Sequence, residues 1–136
     1  MVERLVANEK VEGSTPFARS KDMNDLLNKK CDPCEGGILP LDLSEIHKYQ
    51  KKVDGWDVKK NKEEIFFLEK NFQFKNFMNS KNFIDKISEI SEKENHHPDI
   101  SFGWAYAKII ITTHAIEGLS ENDFILAAKI DQIFNA

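Results

Sequence analysis

Two stretches of the sequence alternate apolar with other side chains at a period of two, and a stretch of helical period lies between them. The first stretch begins near Glu64 and is interrupted by Lys70; its apolar side chains are Phe66, Leu68, Phe72 and Phe74. The second stretch covers residues 101–114, with Ala107, Ile109 and Ile111 on one face. A period of two is typical of a half-buried strand, and a period of 3.6 of an amphipathic helix. The chain is therefore predicted to combine a sheet with helices.

Three helices are predicted from apolar spacing and capping residues. Ser44 can cap the first, which runs through about Val53. Residues 76–94 form the second, with a broad apolar stripe. The third, residues 120–134, opens with a capping box formed by Ser120 and Asp123.

The order of these elements predicts the fold class. Trp56 lies in a strand that pairs with the strand after Glu64, and residues 98–114 make a hairpin-like return. The order is then α-β-β-α-β-β-α. It predicts an α+β fold, in which a four-stranded antiparallel sheet carries three helices packed on one face.

The last helix is apolar over much of its circumference, which is more than one contact with the sheet can cover. We expect the remainder, with Phe124 or Ile125 pointing outward, to contact a second subunit. The unpaired edges of the sheet favour the same interpretation. The sequence therefore predicts a homodimer or a homotetramer.

The first 22 residues show neither period and are predicted to be a disordered or non-native extension. Translation could begin at Met1 or at Met23. Residues 23–136 are predicted to form a single domain, since a chain of 136 residues usually builds one hydrophobic core.

Charge and composition exclude several classes of protein. The net charge of −4 argues against a nucleic-acid-binding protein, whose phosphate contacts require basic residues. No apolar run is long enough to cross a membrane, and no signal peptide is recognised. A cytoplasmic protein without a membrane partner is expected.

Cys31 and Cys34 have the CxxC spacing of a zinc knuckle or a redox site. A second ligand pair is missing unless His47 or a partner chain supplies it, and the βαβ context of a thioredoxin-like site is absent. Two reduced thiols in a loop are the alternative.

Three histidines are the candidate reactive groups. His96 and His97 precede Pro98, and because proline disfavours helical backbone at the residue before it, the second helix should end near Asn95. The hairpin-like return can bring His114 back beside the pair. Three imidazoles in one cleft would make a proton-transfer site, since histidine titrates near neutral pH.

Two other interpretations of these histidines remain open. They could be polar loop residues without a chemical role. They could also form a tris-histidine zinc site, although adjacent histidines converge on one ion with difficulty and no HExxH spacing is present.

The segment from residue 92 to residue 131 resembles the pterin-4a-carbinolamine dehydratases, and the resemblance spans about residues 40–135. The matching elements are Glu92, His96–His97–Pro98, Trp104, Thr113–His114, Gly118 and Asp123 before an alanine-rich helix. The residues around Cys31 and Cys34 resemble the leader of bacterial members. HHP followed by TH at this separation is specific to the family.

The resemblance implies a fold and a reaction. The fold is an α+β sandwich whose sheet pairs across dimers, and the dimers can form tetramers. The reaction dehydrates 4a-hydroxytetrahydropterin to quinonoid dihydropterin and so recycles the cofactor of aromatic amino acid hydroxylases. The pterin is the substrate, and neither a metal nor another cofactor is required. Relatives also serve as transcriptional cofactors or assembly factors, so a non-catalytic module is the alternative.

The resemblance also implies residue roles. His97 would be the acid toward the departing hydroxyl and His114 the base toward N5, while His96 orients the substrate or shares the acid role. The further residues implied to contact the pterin or to set the charge of the histidines are Glu92, Asn95, Pro98, Thr112, Thr113, Ala115 and Asp123.

Overall fold

The computed structural model describes residues 25–30 and 38–136, so the predicted N-terminal extension and the two cysteines lie outside the described residues. Residues 25–27 are helical. The elements that follow are α1 (Leu43–Gln50), β1 (Asp57–Lys60), β2 (Phe66–Gln73), α2 (Phe77–Glu94), β3 (Asp99–Gly103), β4 (Tyr106–Ile111), a 3₁₀ helix (His114–Ile116) and α3 (Glu121–Asn135). The predicted order and the α+β class are confirmed. No helix in this described part of the chain is long and apolar enough to cross a lipid bilayer.

The four strands form one antiparallel sheet in the order β1-β2-β4-β3. One face of the two central strands is apolar, and Leu68 of β2 pairs there with Ile111 of β4. Both side chains are fully buried. Each of the three helices adds buried side chains to the same core, among them Ile46, Ile87 and Leu126. The period of two in the sequence thus marks the face of the sheet that the helices cover.

The first helix is capped by Asp42, and the prediction of Ser44 as its cap is wrong. The Asp42 carboxylate accepts a hydrogen bond from the Glu45 N–H (2.9 Å), and the Glu45 carboxylate accepts one from the Asp42 N–H (3.1 Å). This reciprocal pair satisfies two backbone donors at once, which a cap at Ser44 does not. The helix ends at Gln50, and Val53 is buried in the turn that follows.

The predicted outward apolar face of the last helix is absent. Phe124 is fully buried and Ile125 is 1% exposed. The helix packs against α1 as well as α2, and the Phe124 ring stacks on Tyr49 of α1 with ring centroids 5.3 Å apart. The prediction that these two residues face a second subunit is therefore wrong, because other helices of the same chain cover the part of α3 that the sheet leaves bare.

Lys70, which interrupts the apolar face of β2, is the partner of a buried carboxylate. Its ammonium donates to Asp131 Oδ1 at 2.8 Å and to the Asp54 carbonyl at 2.8 Å. The indole N–H of Trp56 donates to Asp131 Oδ2 at 3.0 Å. Burial raises the pKa of the Asp131 carboxyl to about 6, against the opposing effect of the Lys70 ammonium. Lys70 thus interrupts the apolar pattern of the strand because its ammonium pairs with the buried Asp131 carboxylate of α3.

This raised pKa predicts a pH-dependent contribution to stability. A carboxyl with a higher pKa in the folded chain than its ordinary value of 3.8 binds its proton more tightly when folded. Its contribution is therefore complete below that ordinary value and is lost as the pH rises through about 6. Compared with Asp131→Asn, the wild type should lose about 3 kcal/mol of unfolding free energy over this window, at about 1.4 kcal/mol per pH unit. Urea unfolding at several pH values measures the difference, and a difference that does not change with pH would contradict the assignment.

Candidate active site

The paired histidines and His114 lie at the same end of the sheet. His96 and His97 come just before β3, and His114 comes just after β4. The two strands are antiparallel, with Asp99 opposite Ile110, so the start of one is beside the end of the other. The predicted hairpin return is confirmed, and its turn is formed by Trp104 and Ala105.

Asn95 turns the chain from α2 toward the histidines. Its backbone is left-handed, with φ 54° and ψ 41°. The His96 N–H donates to the Ser91 carbonyl (3.1 Å), and the Asn95 N–H donates to the Glu92 carbonyl (3.3 Å). This is the Schellman pattern of helix ends, in which asparagine tolerates the left-handed conformation better than most residues do. The helix end near Asn95 was predicted from Pro98, and the left-handed turn shows that the asparagine itself is a second sequence signal for this end.

His96 is held by a buried carboxylate at the start of α3. Its Nε2 lies 2.7 Å from Asp123 Oδ1, and the side chains are 12% and 0% exposed. An ionised carboxylate only accepts hydrogen bonds, so Nε2 carries the hydrogen in this contact. The remaining ring nitrogen, Nδ1, is then the one that can exchange a proton with a substrate.

The second oxygen of Asp123 is also fully engaged. Asp123 Oδ2 accepts from the Thr113 hydroxyl (2.7 Å) and from the Ser120 backbone N–H (2.8 Å). The Thr113 and Ser120 hydroxyls lie 2.9 Å apart, in the range of a hydrogen bond between them. The carboxylate predicted to cap α3 therefore also joins His96 to the end of β4. The sequence showed the capping box, but the Thr113 contact depends on the tertiary fold.

His97 pairs with a different carboxylate, close to solvent. Its Nε2 lies 2.5 Å from Glu92 Oε2, and the side chains are 54% and 79% exposed. An ion pair this exposed contributes little to stability. The contact instead orients the imidazole at the rim of the site.

His114 is presented by a tight loop. The Thr113 N–H donates to the Gly118 carbonyl at 2.9 Å, and the 3₁₀ helix lies within the closed segment. The single hydrogen of the Thr112 hydroxyl is shared between two acceptors, the Phe66 carbonyl at 2.8 Å and the Gly118 carbonyl at 3.2 Å. The His114 ring and the Ala115 side chain are exposed. Within residues 25–30 and 38–136 the His114 ring makes no hydrogen bond or ion pair.

The predicted site residues thus fall into two connected groups and one exposed ring. Asp123 joins His96 to Thr113, Glu92 pairs with His97, and His114 is linked to the network through its neighbour Thr113 rather than through its ring. Pro98 is partly buried between the pair and β3. In the part of the chain that the structure describes, no three His, Cys, Asp or Glu side chains are grouped to hold a metal ion.

Known proteins are similar in sequence to this chain over most of its length. The profile of the family described as Pterin 4 alpha carbinolamine dehydratase matches residues 39–133. A relative from Rubrobacter xylanophilus is 40% identical over 111 residues, which cover 82% of this chain and 100% of the relative. One from Methylococcus capsulatus is 44% identical over 112 residues, covering 82% and 96%. Both carry the name pterin-4-alpha-carbinolamine dehydratase.

Solved structures show the same fold. A transcriptional coactivator/pterin dehydratase from Brucella melitensis has a TM-score of 0.63 at 26% identity, covering 69% of this chain and 97% of that one. A pterin dehydratase-like protein identified as a RuBisCO assembly factor in the alpha-carboxysome has a TM-score of 0.50 at 25% identity, with coverage of 58% and 88%.

Proposed function

The chain belongs to the pterin-4a-carbinolamine dehydratase family, and on that premise we propose that it removes water from a 4a-hydroxytetrahydropterin to give a quinonoid dihydropterin. One observation carries the proposal beyond the family relationship. The two chain segments that bear the histidines meet at one end of the sheet, where the buried carboxylate of Asp123 holds His96.

The reaction requires an acid and a base. The C4a–O bond breaks, a proton leaves N5, and a C4a=N5 double bond forms, so that the hydroxide and the proton together make water. No electron is transferred. Imidazole groups suit both proton transfers because their ordinary pKa lies near neutral pH.

The structural environments support different roles for the three histidines. His97, at the exposed rim beside Glu92, donates a proton to the departing hydroxyl. His114, exposed on its loop, accepts the proton from N5. His96, nearly buried on Asp123, orients the substrate through its free Nδ1.

The remaining residues bind or shape the cleft. Asn95 and Ala115 are exposed beside the histidines and contact the pterin together with Pro98. Thr112 and Thr113 act indirectly, since their hydroxyls already hydrogen-bond within the protein and hold the His114 loop.

In the cell, this reaction would return the pterin cofactor of an aromatic amino acid hydroxylase to its cycle. The direct test of the activity is the absorbance change of a freshly generated carbinolamine. The purified protein should accelerate the loss of the carbinolamine above the uncatalysed rate, and an unchanged decay would reject the proposal.

The activity is also expected to survive exhaustive chelation. Acid–base work uses the ring nitrogens as proton donors and acceptors, and a bound metal would occupy their lone pairs. The rate of carbinolamine loss before and after chelator treatment measures this. Activity that disappears with the chelator and returns with zinc would support a tris-histidine metal site instead.

We further propose that the chain self-associates through a patch at the sheet end away from the histidines. Its exposed members are Phe77, Met78, Phe102, Trp104 and Tyr106. The ring centroids of Phe77 and Phe102 lie 5.6 Å apart, so the two rings are in contact and form one surface. The patch adjoins β3, an edge strand whose backbone groups can pair with a second copy. Contiguous apolar surface of this kind marks interaction sites.

Light scattering tests this association. The wild type should show a mass that is a multiple of 15.7 kDa, and Trp104→Lys should lower it, because the charge would be buried in the interface. Leu39→Lys, at a side chain that is 90% exposed but outside the patch, is the matched control and should leave the mass unchanged. A wild-type mass near 15.7 kDa at micromolar concentration would contradict the proposal.

The names of the two solved structures favour a second candidate, a transcriptional cofactor or assembly factor on the same fold. The apolar patch would suit such a role. The two candidates differ in what they require of the site: a non-catalytic module should function equally well when His97 and His114 are replaced.

A further inference from the structure

The joint between α2 and β3 is tied to α3 by the contact between His96 and Asp123 and by a second contact that involves no histidine. The second is a buried ion pair between Lys129 Nζ and Glu94 Oε2 at 2.7 Å. The side chains are 10% and 3% exposed. Glu94 is the last residue of α2, directly before Asn95.

The two contacts lie at different positions along α3 and hold the two sides of the Asn95 turn. Asp123 and Lys129 are six residues apart on the helix, which corresponds to about 9 Å at about 1.5 Å per residue. Their partners, His96 and Glu94, flank the left-handed Asn95. The chain between the two contacts is therefore held at both ends.

A buried ion pair is a weak source of stability, because the desolvation of both charges offsets their attraction. What the pair does provide is a fixed geometry for the end of α2. If the end of α2 shifted, the Asn95 turn would move His96 with it. The hydrogen bond of 2.7 Å between His96 and Asp123 would then be lengthened or misaligned.

We propose that Glu94 and Lys129 are positioning residues for His96, an inference that rests on the proposed dehydratase function. The pair holds the end of α2 against α3, so that His96 keeps Nε2 on Asp123 and presents Nδ1 to the cleft. Neither residue belongs to the predicted site. Their charged groups pair with each other, so they act on His96 through the position of the backbone.

The double variant E94Q/K129M tests the proposal, because it removes both charges of the pair together and so leaves neither of them buried opposite a neutral side chain. We expect kcat for carbinolamine loss to fall about tenfold with KM within about twofold, since a small displacement of a reacting group acts on the chemical step. In ¹⁵N spectra the His96 ring should change from one tautomer to a mixture of two, while the His97 ring is unchanged. K81M is the matched control: it breaks the exposed ion pair with Asp85 on the same helix, and both readouts should keep their wild-type values.

Each outcome decides the proposal. An unchanged kcat, with or without a loss of stability, would reduce the pair to a purely structural contact and overturn it. A lower kcat with an unchanged His96 tautomer would overturn it as well. If the wild type shows no dehydratase activity, the proposed function fails, but the ¹⁵N spectrum still reports whether the pair controls His96.

Discussion

Replacing His97 or His114 by alanine is expected to lower the rate of carbinolamine dehydration by about 100-fold in each case, the usual contribution of a positioned proton-transfer group. His97 would otherwise protonate the leaving hydroxyl, and His114 would take the proton from N5. Both side chains are exposed, so their removal deletes little packing and the melting temperature should barely change. Steady-state kinetics and thermal unfolding of the same samples measure the two effects.

His47 offers a matched control for these variants. It is the one histidine of the chain outside the proposed site, and it is exposed on α1. His47→Ala should keep the full rate. If both His97→Ala and His114→Ala also keep it, the proposed site is wrong.

The substitution Asp123→Asn is expected to lower kcat by about 100-fold while retaining the fold. The amide has one donor and one acceptor end, whereas both carboxylate oxygens now accept hydrogen bonds. If the NH₂ group faces His96, it forces the opposite imidazole tautomer, which withdraws Nδ1 as an acceptor. If it faces Ser120, it opposes a backbone N–H at the start of α3. Either arrangement removes the function that the carboxylate serves, at a cost in stability of about 1–3 kcal/mol.

Asp99→Asn is the control for this change of charge. Asp99 is exposed at the start of β3, close to the histidines, so it tests whether any loss of negative charge near the site has the same effect. The kcat of this variant should be close to wild type. An Asp123→Asn enzyme with full activity would show that Asp123 caps α3 and does nothing more.

The regular part of the fold was predictable because its signals are local. Alternation at Leu68, Phe72, Ile109 and Ile111 depends only on which face of a strand the core covers. The end of α2 near Asn95 followed from the constraint that Pro98 places on its neighbour. The capping box at Ser120 was likewise visible within four residues.

Features that depend on contacts between distant segments were not predictable. The burial of Phe124 and Ile125 depends on where α1 packs, which no pattern within α3 reveals. The Lys70–Asp131 pair joins residues 61 positions apart, so Lys70 looked like an interruption of its strand. The carboxylate partners of His96 and His97 are equally a result of tertiary structure: the resemblance pointed to Glu92 and Asp123 but not to which histidine each one holds.

The central claim is that three histidines from two chain segments form one pterin site. It is tested most directly by titrating the ¹⁵N-labelled protein with a 7,8-dihydropterin, which has no 4a-hydroxyl group and so cannot be dehydrated. The ¹⁵N resonances of the His96, His97 and His114 rings should all shift and should follow the same binding curve. Those of the His47 ring should not shift. Shifts confined to His47, or a pterin that moves none of the four histidines, would contradict the account.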